Sequence, residues 1–196
     1  MTSTSERLVA DCTTLLFRAY STPVHRAADT PGSLVAAIDA RDGALTASVV
    51  DLRRASGASR SGIGKLLFVS SFAFVASSRP RHGADSALTP DSARDWIYVR
   101  DWTRELTNQL AGRVTNQLAE EGVRLSPGQP LAMTATAASQ EVKSMLGTPL
   151  RFTSGPHEVR VWLDLRLDPE SDTSGARSGR APLREGTITM FDEGES

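Results

Sequence analysis

The chain has 196 residues, 39% hydrophobic and 23% charged, a balance that fits one soluble domain with extensions or two small ones and excludes a collagen-like, coiled-coil or wholly disordered protein. Its 22 lysines and arginines nearly cancel its 23 aspartates and glutamates, for a formal net charge of −1. The summed charge therefore offers no attraction for nucleic acid or an anionic membrane surface.

The Ser/Thr-rich start has no apolar segment behind a basic end, and nowhere do eighteen apolar residues run together, so the expected compartment is the cytoplasm. From Ser3 to Tyr20, Leu8, Val9, Cys12, Leu15, Leu16 and Ala19 recur at the spacing of one helix face, closed by Pro23, which predicts an amphipathic helix. After Pro31-Gly32, the runs Leu34 to Ala40 and Ala44 to Val50 flank Arg41-Asp42-Gly43, and Asp-Gly supplies the positive φ angles of a tight hairpin. A polar loop, Arg53 to Gly62, leads into a strand at Lys65 to Val69. The next run, Phe72 to Ala76, is either its extension or a short helix.

Thr89-Pro90-Asp91 reads as a helix start, with Thr as N-cap, Pro at the first helical position and an acid in the first turn. The helix it opens meets no Gly until Gly112, and Gly122 stands where a C-terminal cap belongs. After a turn at Ser126 to Pro130, strands are expected at Leu131 to Ala137, Leu150 to Ser154 and His157 to Leu167, the last two joined at Gly155-Pro156. In the final strand Val159, Val161, Leu163, Leu165 and Leu167 alternate with Glu158, Arg160, Asp164 and Arg166. Trp162 breaks the polar face, as expected of a residue at a subunit contact. From Asp168 onward, seven acids against three arginines give the tail −4 and leave +3 on residues 1–167. With little apolar content it is expected to be disordered, and Thr187 to Phe191 within it reads as a strand, a docking peptide or a chance apolar island.

Cys12 cannot form an internal disulfide and fits the buried face of the first helix. With His25, His82 and His157 scattered, no metal-ligand spacing exists. Gly62-x-Gly64-Lys65 lacks the spacing of a phosphate loop and reads as a loop end. The long helix carries the remaining signal. At about 100° per residue, Asp101, Glu105, Asn108 and Gly112 fall within roughly 60° of one another, while Val99, Leu106, Leu110 and Val114 lie opposite. Asp101 and Glu105 are like charges at i,i+4, which destabilise an isolated helix by a few tenths of a kcal/mol. Gly112 costs about 1 kcal/mol of helix stability relative to Ala and leaves a bare patch where another backbone can approach. The competing reading is a solvated polar face.

The segment Asp101 to Leu118 resembles the signature helix of the CheC/CheX family of response-regulator phosphatases, [D/S]-x-x-x-E-x-x-N followed by a downstream proline. Asp101, Glu105 and Asn108 match it, and Pro130, or Pro127 before it, stands at about the right distance. Thr115 to Ala119 repeats the letters of Thr107 to Ala111, but Arg113 stands three before Asn116, so there is one motif, which resembles the CheX branch. The resemblance covers roughly residues 5 to 167. It implies an α/β (α+β) fold: a single domain, 1–167, with an antiparallel-rich sheet packed against a long catalytic helix and an N-terminal helix, then the tail, 168–196.

It further implies hydrolysis of the aspartyl phosphate of a CheY-like receiver domain, in chemotaxis or related two-component signalling. The chain itself would bind no cofactor, since Mg²⁺ and a lysine come from the receiver, and it would form a homodimer. Asn108 would orient the attacking water, Glu105 would pair with the receiver's lysine, Asp101 would assist docking, and Gly112 would admit close approach. No group need titrate, so little pH dependence from this chain is expected near neutrality. The alternatives are a non-catalytic adaptor that binds a receiver and a dimeric structural protein with no receiver partner.

Overall fold

A computed structural model describes residues 4–28, 44–55, 62–80, 88–145 and 149–167. Among these, in chain order, are α1 (Thr4–Ala19), β1 (His25–Arg26), β2 (Leu45–Arg54), β3 (Gly62–Ser71), α2 (Phe72–Ser78), α3 (Ala93–Glu120), β4 (Leu125–Pro127), β5 (Leu131–Met133), α4 (Ala135–Ser144), β6 (Leu150–Ser154) and β7 (His157–Leu167). The strands form one antiparallel seven-stranded sheet in the order β1-β6-β7-β3-β2-β4, with β5 also paired to β2. The α/β (α+β) class expected from the sequence is the one observed.

Only the second arm of the hairpin expected at residues 34–50 falls among the described residues. Its first arm and Arg41-Asp42-Gly43 lie outside the described residues. Its second arm lies in β2, which pairs with β3 on one side and with β4 and β5 on the other. His82, the tail 168–196 and its island at Thr187 to Phe191 likewise lie outside the described residues.

One large core fills the space between the sheet and α1, α2 and α3. Leu66 and Phe68 of β3, Phe152 of β6 and Val159 and Val161 of β7 meet Leu16 and Phe17 of α1 and Leu106, Leu110 and Val114 of α3. Phe17 lies 6.1 Å from Phe68 and 5.0 Å from Phe74 between ring centroids. These ring contacts turn the buried face of α1 toward Phe17. Leu15, expected inside, is 54% exposed, and Ala19 is also exposed. Cys12 is buried as expected, and burial is the main cause that raises its thiol pKa above the ordinary value.

A second, smaller core lies on the opposite face, where Leu45, Ala47, Leu67, Val69 and Trp162 pack under Ala138 of α4 and Met145. The sequence reading missed α4, taking its start as the end of a strand. Thr134, whose hydroxyl accepts from the Ala137 N–H, caps the helix instead. Trp162 is accordingly 2% exposed within its own chain and needs no subunit contact for its burial. The polar face of β7 is also partly buried, with Glu158 held between Arg151, at 2.8 Å, and Arg160.

Ser71 settles the fate of Phe72 to Ala76, since its hydroxyl accepts from the Phe74 N–H and starts α2. Gly62 and Gly64 are strand residues and not a loop end: a Cβ at either would overlap a carbonyl oxygen of β7, that of Arg166 or Asp164. The expected turn at Ser126 to Pro130 is partly strand, because Leu125–Pro127 pairs with Leu52–Arg54. Pro127 is tolerated there on a short flanking strand.

Candidate active site

The long helix starts three residues later than the Thr89 signal. Ser92 is its N-cap, accepting from the Asp95 N–H, while the Asp95 carboxylate accepts from the Thr89 N–H at 3.0 Å. At the far end Gly122 has φ +85°, a left-handed cap conformation that glycine adopts without steric cost. Between these ends run 28 helical residues, about 42 Å at 1.5 Å per residue.

Val99, Leu106, Leu110 and Val114 are all buried against the sheet, as the periodicity predicts. That seat fixes the opposite crest in solvent. Asp101, Glu105 and Asn108 are exposed, and Gly112 follows on the same crest with nothing within 4 Å of where its Cβ would stand. The structure thus brings these four residues into one row on one helix. Asn108 makes no side-chain hydrogen bond to a described residue, which leaves its amide free to hold a water molecule.

The neighbours of the two acids differ. Asp101 lies 3.5 Å from the Arg104 guanidinium, and Arg104 Nε donates to the carbonyl of Pro130 at 3.1 Å. Of the two downstream prolines, Pro130 is therefore the one tied to the crest. Glu105 Oε1 accepts from Gln109 Nε2 at 2.6 Å, and Gln109 Oε1 accepts from the Tyr20 hydroxyl at 2.6 Å. Tyr20 packs edge-on against Trp102 at 5.0 Å, and the Trp102 indole N–H donates to Ser78. Sequence reasoning missed Gln109 and Tyr20. The i,i+4 spacing from Glu105 could have flagged Gln109, but nothing local points from Tyr20 to a helix 89 residues away.

The crest extends toward the helix start, which was also missed. Tyr98 and Ile97 are 43% and 61% exposed, and the guanidinium groups of Arg79 and Arg94 each lie 5.6 Å from the Tyr98 ring centroid. Elsewhere, a cavity of about 370 Å³ opens on the sheet face that carries α4, lined by Asp51, Lys65, Met145, Asp164 and Arg166 among others. It lies across the sheet from the crest. Among the described residues no group of three or more His, Cys, Asp or Glu could hold a metal, and no helix is long and apolar enough to cross a membrane.

The sequence matches no family model and no curated protein. Solved structures do match in shape. The CheX chemotaxis protein of Vibrio vulnificus superposes with a TM-score of 0.57 at 11% identity, over 84% of this chain and all of that one. CheX in a CheX–CheY–BeF3–Mg²⁺ complex from Borrelia burgdorferi gives 0.57 at 14% identity, over 82% of this chain and 96% of that one. A CheC-like superfamily protein from Shewanella sp. PV-4 gives 0.53 at 10% identity, over 85% and 99%. The fold of this chain is the one shared by CheX and CheC-like proteins.

Proposed function

We propose that this chain hydrolyses the aspartyl phosphate of a CheY-type receiver domain, with the α3 crest inserted into the receiver's active site. The observation that carries the reading is the solvent-facing row Asp101, Glu105, Asn108 on a helix whose other side is locked into the core. It is supported by the shared fold with a CheX whose structure is a complex with CheY, BeF3 and Mg²⁺.

Catalysis here is placement. The receiver supplies Mg²⁺ and a lysine, so the slow part of hydrolysis is holding water in line with the phosphorus. The Asn108 carboxamide holds that water through its oxygen or N–H groups. Attack forms a P–O bond to the water oxygen and breaks the bond to the receiver's aspartate, releasing phosphate and restoring the carboxylate. Glu105 accepts from the receiver's lysine and fixes the crest in the cleft. Asp101 contributes at the docking rim, and Gly112 leaves room for the receiver's backbone. No metal or cofactor is required from this chain.

The test mixes candidate receivers, phosphorylated with acetyl phosphate, with this chain and follows the phosphoryl group. Accelerated decay with one of them is expected, and Asn108→Ala is expected to slow it by about 10²-fold, the scale of losing one preorganised polar group. The reading fails if decay is unchanged by the wild-type chain. Binding without acceleration would instead support the adaptor alternative.

A further inference from the structure

We infer that Tyr20 and Gln109 are positioning residues for Glu105, forming a relay from α1 that holds the Glu105 carboxylate ready for the receiver's ammonium. The inference rests on the docking role proposed above for Glu105. Its observations are two consecutive bonds of 2.6 Å, Tyr20 hydroxyl to Gln109 Oε1 and Gln109 Nε2 to Glu105 Oε1.

The order of donors matters. A phenol hydroxyl has one hydrogen, and a carboxamide presents acceptor and donor on opposite sides. The Glu105 carboxylate only accepts, so Nε2 must face it; Oε1 is then turned toward Tyr20, whose hydroxyl donates to it and anchors the far side of the Gln109 amide. Without the hydroxyl, Oε1 loses its partner within the fold and the Gln109 side chain is free to swing into solvent, releasing Glu105. Tyr20 is itself held by its edge contact to Trp102, whose indole is bonded to Ser78. The orientation of an exposed glutamate is thereby tied to the packing of α1 and α2. One carboxylate oxygen is engaged by Gln109, and Oε2 makes no bond to a described residue. An incoming ammonium meets a carboxylate whose rotamer is already chosen, so less side-chain freedom is lost on docking.

The experiment compares Tyr20→Phe, Gln109→Ala, the double variant and Asn108→Ala in the full chain, against the phosphorylated receiver found in the decay assay. Tyr20→Phe keeps the ring on Trp102, and a melting curve checks that the fold is retained. Because Glu105 acts in docking, Tyr20→Phe and Gln109→Ala are each expected to raise KM about 3- to 10-fold with kcat within about twofold. The double variant is expected to be no worse than Gln109→Ala alone, since both act through one bond. In ¹⁵N–¹H spectra of the free chain, the Gln109 side-chain amide resonances are expected to move toward solvent-exposed values in Tyr20→Phe.

If KM and these resonances stay at wild-type values, or if only kcat changes, while Asn108→Ala still slows hydrolysis, the relay is overturned and the phosphatase reading stands. If the wild-type chain accelerates the decay of no receiver, the phosphatase reading falls and the relay with it.

Discussion

Thr46 of β2 and Thr103 of α3 share a buried hydrogen bond of 2.8 Å that joins the sheet to the centre of the long helix. Its direction follows from a second bond, since the Thr103 hydroxyl gives its only hydrogen to the carbonyl of Val99 at 2.7 Å. Thr46 must then be the donor. Thr103→Val would strand the Thr46 hydroxyl hydrogen in the core, whereas Thr46→Val removes the donor and leaves Thr103 still bonded to Val99. Thr103→Val is expected to cost about 1–3 kcal/mol and Thr46→Val less, read as urea midpoints at constant slope. Equal losses would mean that the donor is not fixed.

Ser48, two residues along the same strand face, provides the contrast. Its hydroxyl is buried and has no hydrogen-bond partner among the described residues. Replacing it with Ala removes an unmet polar group at little change in volume, so Ser48→Ala is expected to be neutral or to stabilise by up to about 1 kcal/mol. Thermal unfolding measures it.

Gly112 separates stability from docking. With nothing within 4 Å of its missing Cβ, Gly112→Ala is expected to stabilise the chain by about 1 kcal/mol, raising Tm by about 2–4 °C. If the receiver's backbone uses that bare patch, the same variant raises KM. A more stable protein with unchanged KM would remove Gly112 from the contact.

Lys65 and Glu141 set a stability change at alkaline pH. The Lys65 ammonium donates to Glu141 Oε1 at 2.5 Å, and this bond is the main cause that raises the lysine above its ordinary value of 10.5, with smaller Coulombic help from Glu141, Asp51 and Asp164 against the desolvation that opposes it. A base whose folded pKa is raised binds its proton more tightly in the folded state. Its contribution is complete below the unfolded value, about 10.5, and is lost as pH rises through the folded one. Wild type is therefore expected to be more stable than Glu141→Gln near neutrality, with the gap closing above about pH 10.5. With the lysine side chain 44% exposed, solvent screening holds the gap to about 1 kcal/mol or less. Urea unfolding of both proteins across this range measures it, and a pH-independent gap would count against the pair.

The long helix was legible because its signals are local: apolar positions recur on one side, Gly122 ends it, and the crest is chemically distinct. Its start was misplaced because Thr89-Pro90 mimics a cap that Ser92 supplies. The strands β6 and β7 were legible from alternation and the Gly155-Pro156 break, and both bounds agree. The strand expected at Lys65 to Val69 is the middle of β3, with Leu66, Leu67, Phe68 and Val69 all 0% exposed; periodicity failed just beyond it, at Phe72 to Ala76, where an apolar run fits a buried strand and a short buried helix equally. It also failed for α4, whose short Ala/Thr-rich sequence has no strong apolar stripe. The pairing of Tyr20 with Gln109 joins distant segments, and only the packing of α1 on α3 creates it.

The seat of Trp162 under α4 bears on how two copies could meet. The middle of that sheet face is already roofed by the chain's own helix, so a second copy cannot use the indole as its anchor. Face-to-face stacking of two sheets would first have to displace Ala138 and Met145 from their contacts.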